Sequence, residues 1–329
     1  MTRTLVLAER PFGDLRGRAT MRDLVARRGQ GQPLLIPSRA PSAPPGFQPI
    51  PPGSDLAAFG VSRVALAGCF QEKGELEWAL AEAARAIAAG ARFEALGLSV
   101  EGGVAETPPR GVEVLDGASS IELRDFLSAN TLTLWRVAAP LRVNGYPEAR
   151  IAPDPGLAAS LPPGPLLGVA ISAGNHVRKE WMARADGIGR LLAQANGWPA
   201  VPLPIEATGT PADDLPSTRA FIEALLPEAP VLLPELSDFV WRQRQFTVAR
   251  MKAVVARCAL VVTNQDLPAA MAITSGVPVL GLALANDRRI VASLSTLANE
   301  APPGSELAFL PVDPPVQPSD SRASSSARA

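Results

Sequence analysis

The segment RCALVVTNQDLPAAMAITSGVPVLGLAL, residues 257–284, decides the fold that this chain adopts. Its apolar run Ala259–Val262 is too short for a helix and is flanked by polar residues, which predicts a buried strand. A helix of small residues follows, with Pro268 in the first turn, where proline is tolerated. Gly276 ends this helix, and the residues Val277–Leu284 are apolar again. The segment therefore predicts one strand–helix–strand unit.

The turn between the first strand and the helix of this unit is the first place to look for a functional site. Thr263, Asn264 and Asp266 offer side chains that can cap the helix. In open α/β sheets, ligands bind beyond the carboxyl ends of the strands and at helix N-termini, where free backbone N–H groups point outward. We therefore expect site residues in the loop Thr263–Pro268.

The composition limits the class of protein. The chain has 329 residues, 47% of them hydrophobic, and a net charge of −1. No block of like charges occurs, which excludes a nucleic-acid partner. The two cysteines, Cys69 and Cys258, are too far apart for a metal motif. No apolar stretch approaches the roughly 18 residues needed to span a bilayer, so we expect a cytoplasmic protein without an integral membrane segment, metal or cofactor.

Strand and helix patterns alternate in both halves of the chain, which predicts an α/β fold with two doubly wound, Rossmann-like domains facing a cleft. The stiff sequence PPGP at 162–165 marks the boundary between them. Residues 1–161 then form the first domain, with a proline-rich insertion at 38–54, residues 162–311 the second, and residues 312–329 a disordered tail. Within the domains, the pattern predicts helices at 15–28, 75–89, around 181–192, 219–226, 238–257 and 290–297, an edge strand at 200–204 and a strand at 231–233.

Several common sites are absent from the sequence. No GxGxxG follows a strand, no GxxxxGK[ST] or Asp-x-Asp occurs, and a single histidine excludes two-histidine catalysis. That histidine, His176, follows the strand predicted at 166–172, and it is either a general base or phosphate ligand, or a helix-start residue with Asn175 as the cap. Arg124 and Asp125 face the predicted cleft, and they also have an ordinary interpretation as a strand end and a helix cap.

Three segments in a fixed order resemble the polysaccharide pyruvyl transferase family. They are SIELRDFLSA at 120–129, the Asp-Pro pair at 154–155 and LGVAIS at 167–172. Residues 211–215 and the Gly-Val-Pro at 276–278 also look like that family, and the turn at 12–14 is similar to its N-terminal Asn-x-Gly-Asp. The likeness covers about residues 60 to 295, and it depends on the order and spacing of several short motifs.

The resemblance implies a GT-B-like fold and the transfer of a pyruvyl group from phosphoenolpyruvate to a sugar of an exopolysaccharide or cell-wall precursor. The acceptor would be a saccharide, free or lipid-linked. The expected catalytic residues are His176, Arg124 and Asp125, and Gly13 and Asp14 are expected at the acceptor. Expected donor-binding residues are Ser172, Asn175, Arg178, Thr263, Asn264, Gln265, Arg288 and Arg289.

The chain departs from this family in residues 257–284, the organising segment of the fold. Family members carry Arg-x-His-Gly where this chain has Gln265, Asp266, Leu267 and Pro268. Phosphoenolpyruvate carries a phosphate and a carboxylate, which cationic donors suit best, and this tetrad supplies none. The departure implies weakened or lost catalysis, and restoring Arg and His at 265 and 267 would then strengthen donor binding. Two alternatives stay open: a catalytically silent homologue that binds a glycan or a partner, and a GT-B glycosyltransferase that uses a nucleotide sugar.

Overall fold

The computed structural model describes residues 3–9, 11–29, 31–38, 43–100, 106–206, 212–283, 289–298 and 307–311, with Arg289 and the last five residues described by their backbone alone. In this part of the chain, the residues form two parallel β-sheets with helices packed against them. The α/β fold predicted from the sequence is confirmed. The predicted tail at 312–329 lies outside the described residues.

The first sheet contains seven parallel strands in the order β3-β2-β1-β4-β5-β6-β7 within the described residues. Helix α1 packs against strand β4, and α2 and α3 connect successive parallel strands. The strands are β1 Arg3–Leu7, β2 Leu34–Pro37, β3 Phe47–Ile50, β4 Val61–Phe70, β5 Arg92–Val100, β6 Ile121–Leu123 and β7 Leu141–Val143, and the helices are α1 Leu15–Arg28, α2 Lys73–Ala88 and α3 Phe126–Leu134.

The second sheet has the strand order β12-β11-β10-β8-β9, also parallel. The organising segment forms β10, α9 and β11 at its centre, as its sequence predicts. The strands are β8 Leu167–Ala170, β9 Ala200–Pro202, β10 Leu260–Thr263, β11 Val279–Ala283 and β12 Leu307–Pro311, and the helices are α4 Asn175–Met182, α5 Ala185–Leu191, α6 Asp214–Leu225, α7 Phe239–Gln245, α8 Val248–Val255, α9 Asp266–Thr274 and α10 Arg289–Leu297.

The proline-rich stretch at 38–54 is not wholly irregular, because it contains strand β3. This strand pairs with β2 in parallel, with Pro49 opposite Ile36. It lies at the edge of the sheet. A proline is tolerated there, because the N–H group that it lacks is not needed to pair with a further strand. Strands β7 and β12 were also not predicted from the sequence, whereas the edge position of β9 is confirmed.

Two predicted long helices are broken in the structure. The helix expected at 238–257 ends at Gln245, and a new one starts where the Thr247 hydroxyl accepts a hydrogen bond from the Arg250 N–H at 3.3 Å. The apolar stripe around residues 181–192 is divided between α4 and α5. The predicted strand at 231–233 is wrong, since Val231 makes only an isolated bridge to β9.

The two sheets are joined through a shared apolar core. Leu15 of α1 and Tyr146 pack in the same buried cluster as Met251 of α8 and Leu267 of α9. Residues 151, 158 and 161, which precede the predicted boundary at 162–165, also lie in this cluster. That boundary separates β7 from β8, the strands that end one sheet and begin the other in chain order, and it stays a prediction.

Strand β8, next to the central strand β10, shows how closely this core is packed. A Cβ atom added at Gly168 of β8 would lie 2.9 Å from Leu203 Cδ1 and 3.1 Å from Cys258 Sγ. We expect Gly168→Ala to lower the free energy of unfolding by about 1–3 kcal/mol, because overpacking forces neighbours from their rotamers. Denaturant unfolding measures this effect. Gly187→Ala in α5, where nothing lies within 4 Å of the added Cβ, is the control and should be neutral or stabilising; equal stability of both variants would contradict the packing.

Candidate functional site

A cavity of about 470 Å³ lies in the cleft between the two sheets. Its walls come from loops that follow strands β1, β4, β8, β9 and β10, and from the start of α6. The carboxyl ends of parallel strands are where ligands bind in such folds, so the cavity is the candidate site. It is lined by Asp14, Arg16, Gln71, Ser172, Ala173, Gly174, Ile205, Glu206, Ala212, Asp214, Asn264, Gln265 and Asp266.

The buried carboxylate of Asp214 holds the loops of the second sheet together. It accepts hydrogen bonds from the backbone N–H groups of Ala173 at 2.8 Å, Ile205 at 3.2 Å and Glu206 at 2.9 Å. The Gln265 side-chain amide donates to it as well, at 3.2 Å. Burial raises the pKa of Asp214, and these hydrogen bonds oppose that rise. One side chain therefore fixes the positions of three strand-following loops.

A second link joins the loops after β8 and β10. Asn264 accepts a hydrogen bond from the Ser172 N–H at 2.9 Å and donates its amide to the Ser172 hydroxyl at 2.7 Å. Thr263 is fully buried and accepts from the Gln265 N–H at 2.8 Å. The predicted donor-binding residues of these loops are thus brought together, and Ser172, Asn264 and Gln265 line the cavity.

Two carboxyl groups from opposite domains meet in the cleft. Asp14 caps α1 by accepting a hydrogen bond from the Gly17 N–H at 2.6 Å, and it lines the same cavity as Glu206. Burial and the nearby carboxyl groups of Asp14 and Asp214 raise the pKa of Glu206 to about 7. A carboxyl group with this pKa is partly protonated at neutral pH.

The cations near the cavity are already engaged by carboxylates. Arg16 of α1 forms an ion pair with Asp266 of α9, with Nη2 and Oδ1 2.8 Å apart. Arg124, which is buried, pairs with Glu148 and lies over the Tyr146 ring at 5.0 Å. Among the described lining residues, the cavity has four carboxyl groups and one arginine. Its lining therefore favours ligands rich in hydroxyl groups over free anions.

Several of the predicted site residues lie apart from this cavity. His176 is exposed as the second residue of α4. Asn175 and Arg178 line a neighbouring cavity of about 300 Å³. The expected cap Asn175 is instead the first helical residue, and Gly174, with φ of 128°, precedes it, because glycine readily adopts positive φ.

The remaining predicted residues divide between structural roles and undescribed positions. Asp125 caps α3, as the structural interpretation predicts, by accepting the Ser128 N–H at 2.7 Å. Gly13 is exposed and does not line the cavity. Arg288 lies outside the described residues, and only the backbone of Arg289, the first residue of α10, is described.

Glu206, Arg16 and the role of Asp214 were not predicted from the sequence. Glu206 follows β9 at the carboxyl end of the sheet, which is a positional signal for a site residue. Arg16 is in the first turn of α1, where nothing in the local pattern distinguishes it from a surface arginine. Asp214 entered the sequence analysis only through a family likeness, since its four donors come from distant segments.

No protein-family model and no curated protein matches this chain. Among solved structures, it is similar to UDP-GlcNAc 2-epimerase of Methanocaldococcus jannaschii, at 12% identity over 94% of this chain and 89% of that chain, with a TM-score of 0.57. It is also similar to the Neisseria meningitidis UDP-GlcNAc 2-epimerase bound to UDP-GlcNAc, at 11% identity over 91% of this chain and 90% of that chain, with a TM-score of 0.54. The S. aureus MnaA-UDP co-structure matches at 10% identity over 91% of this chain and 86% of that chain, with a TM-score of 0.52. These matches show the fold, which is GT-B.

Within the described residues, no helix is both long enough and apolar enough to cross a bilayer.

The raised pKa of Glu206 predicts a pH dependence of stability. Because the folded pKa is about 7 and the ordinary value is 4.5, this group stabilises the fold fully below about pH 4.5 and loses that contribution as the pH rises through 7. The group is partly solvent-screened, so we expect a loss on the order of 1 kcal/mol. Glu206→Gln should flatten the decline of the unfolding free energy between about pH 5 and pH 8.

Glu223→Gln is the control for this measurement, because Glu223 is exposed on α6. It should leave the decline of wild-type stability unchanged. If the Glu206→Gln and wild-type proteins lose stability in parallel, the titration of Glu206 does not cause the decline.

Proposed function

We propose that this protein is a saccharide-processing enzyme of the GT-B fold, and that it binds a nucleotide-linked sugar in the cleft between its two sheets. The proposal rests on one observation above all, the carboxyl groups of Asp14 and Glu206, which come from the two domains and line the same cavity of that cleft. This pair transfers a proton to or from a sugar hydroxyl during the reaction.

The chemistry of the pair suits such a role. A group with a pKa near 7 is partly protonated and partly ionised at neutral pH, so it serves as acid and as base. When Glu206 accepts a proton from a hydroxyl, Asp14 can take over the hydrogen bond as acceptor, and the reverse step returns the proton. Carboxylates and amides are also the groups that accept from and donate to hydroxyls, and Asn264 and Gln265 supply amides beside the pair.

The nucleotide part of the substrate needs a different environment from the sugar. The neighbouring cavity of about 300 Å³ shares Gly174 with the cleft and includes Arg178 at the start of α4. A helix start and an arginine together suit a diphosphate, whereas the carboxyl groups of the cleft repel it. A uridine-diphosphate sugar is the first probe, because two of the similar structures hold UDP or UDP-GlcNAc.

Calorimetric titration with UDP-GlcNAc and with UDP tests the binding, and NMR of the products tests turnover. We expect both ligands to bind and the sugar to be transferred or isomerised. Glu206→Gln should lower the turnover rate by roughly 10²–10⁴-fold, the usual contribution of a general acid or base, while Glu223→Gln retains it. Absence of both binding and turnover in the wild-type protein would contradict the proposal, and binding without turnover would favour the silent homologue.

Pyruvyl transfer from phosphoenolpyruvate is the second candidate function, and the motif Arg124-Asp125-x-x-Ser128 favours it. Its aspartate and serine form the helix cap of α3, and its arginine lies beside the cleft. The tetrad at 265–268 weighs against it. Gln265 is bound to Asp214, Asp266 pairs with Arg16, and Leu267 is fully buried in the core, so none of them offers a cation to a donor.

The structure changes what restoration of the family tetrad is expected to do. In Gln265→Arg with Leu267→His, the new guanidinium lies within reach of Asp214, and the imidazole enters an apolar core. We expect no gain in phosphoenolpyruvate affinity and a loss of about 2–5 kcal/mol in the free energy of unfolding. Gln265→Arg alone separates the two effects, because it leaves the core intact. A tenfold gain in affinity in either variant would favour pyruvyl transfer.

A further inference from the structure

The guanidinium of Arg124 has unused hydrogen-bonding capacity. Its side chain is 1% exposed, its Nη2 group pairs with Glu148, and its face lies over the Tyr146 ring. Its Nε and Nη1 groups are buried without any hydrogen-bond partner, as is Oε2 of Glu148. Leaving a buried charged donor unpaired costs more than leaving a neutral one. A buried arginine with open donors at the edge of a cleft is therefore an unusual feature that a ligand would explain.

A small pocket adjoins this arginine. It measures about 30 Å³, includes Arg124 in its wall, and lies at the carboxyl ends of β1 and β4. The pocket shares Asp14, Arg16, Gln71 and Glu206 with the larger cavity of the cleft. Its volume exceeds what one water molecule needs. A group of two or three heavy atoms fits there while the rest of its molecule lies in the cleft.

The charges around the pocket restrict that group further. Arg124 and Arg16 provide two positive charges, each shared with one carboxylate, Glu148 and Asp266. A planar monoanion matches a guanidinium with open N–H groups. A phosphate dianion would be repelled more strongly than a monoanion by the carboxyl groups of Asp14 and Glu206.

We propose that this pocket binds a carboxylate group of the ligand, with Arg124 as the donor of hydrogen bonds and Arg16 as a second positive charge. This proposal rests on the proposed function, in which the rest of the ligand lies in the cleft. The carboxylate has two sources: the uronic acid of an acidic sugar, or the carboxylate of phosphoenolpyruvate. The pocket thus adds a specificity for acidic substrates to a cleft whose other groups recognise hydroxyls.

Calorimetric titration of the wild-type protein with matched probes tests the pocket. UDP-glucuronate and UDP-glucose differ only by the carboxylate, and phosphoenolpyruvate is compared with inorganic phosphate. In one of these pairs, we expect the member with the carboxylate to bind at least about tenfold more tightly than the other member. This is the usual effect of one charge-assisted hydrogen bond. A preference for UDP-glucuronate identifies an acidic sugar as the source, and a preference for phosphoenolpyruvate identifies the donor.

The opposite results distinguish failure of the carboxylate pocket from failure of saccharide binding in the cleft. Equal binding of UDP-glucuronate and UDP-glucose, without a preference for phosphoenolpyruvate, would overturn the carboxylate pocket and leave saccharide binding intact. Absence of binding for all four probes would overturn both.

A paired variant tests the assignment to Arg124. Arg124→Gln with Glu148→Gln removes both charges together, so no buried carboxylate is left unpaired. In this variant, the carboxylate-bearing probe of the preferred pair should bind no more tightly than its matched partner. A preference as large as that of the wild-type protein would overturn the role of Arg124. Circular dichroism and thermal unfolding establish whether the variant folds. If it does not fold, the series of probes with the wild-type protein still decides.

Discussion

The carboxylate of Asp214 is the constraint on which the geometry of the site depends. It accepts hydrogen bonds from the loops after β8 and β9 and from the side chain of Gln265 after β10. Without it, backbone N–H groups beyond the strand ends would be left unsatisfied, at a cost of about 1–3 kcal/mol each. The neighbouring Asp213 binds the guanidinium of Arg242 near the end of α7. Adjacent aspartates thus fix two different parts of the second domain.

The same carboxylate also affects the chemistry of the cleft. Its charge is among the causes that raise the pKa of Glu206, after burial and the charge of Asp14. A negative charge held by backbone donors cannot move away when a ligand enters, so its influence on Glu206 is permanent. The structural role of Asp214 and the raised pKa of Glu206 are consequences of one arrangement.

The sequence predicts those features that depend on local patterns. Helix α1 was placed correctly because Asp14 is a good cap and the residues after it form helix readily. Strand β3 was missed because the proline-rich stretch around it is typical of a loop. The break before Thr247 was missed because apolar residues continue through it. In both cases, position in the sheet or a single cap overrides the composition of the segment.

The cleft itself depends on contacts that no local pattern contains. Glu206 and Asp14 belong to opposite domains, and so do the partners Arg16 and Asp266. The residue types were visible in the sequence, but their pairing follows from the packing of the two domains. That is why the sequence indicated the loop after β10 and could not indicate what faces it.

The pairing of Arg16 with Asp266 explains how the site differs from one built to hold a free anion. Asp266 lies in the organising segment and binds the cation of the opposite domain, Arg16. Removal of either partner would leave a charge largely without water, so the pair constrains the distance between the domains. Carboxyl groups therefore face the middle of the cleft, and Arg124 lies in the wall of the small pocket that adjoins it. A ligand that satisfies both regions has hydroxyl groups in the middle and a single negative charge at one end.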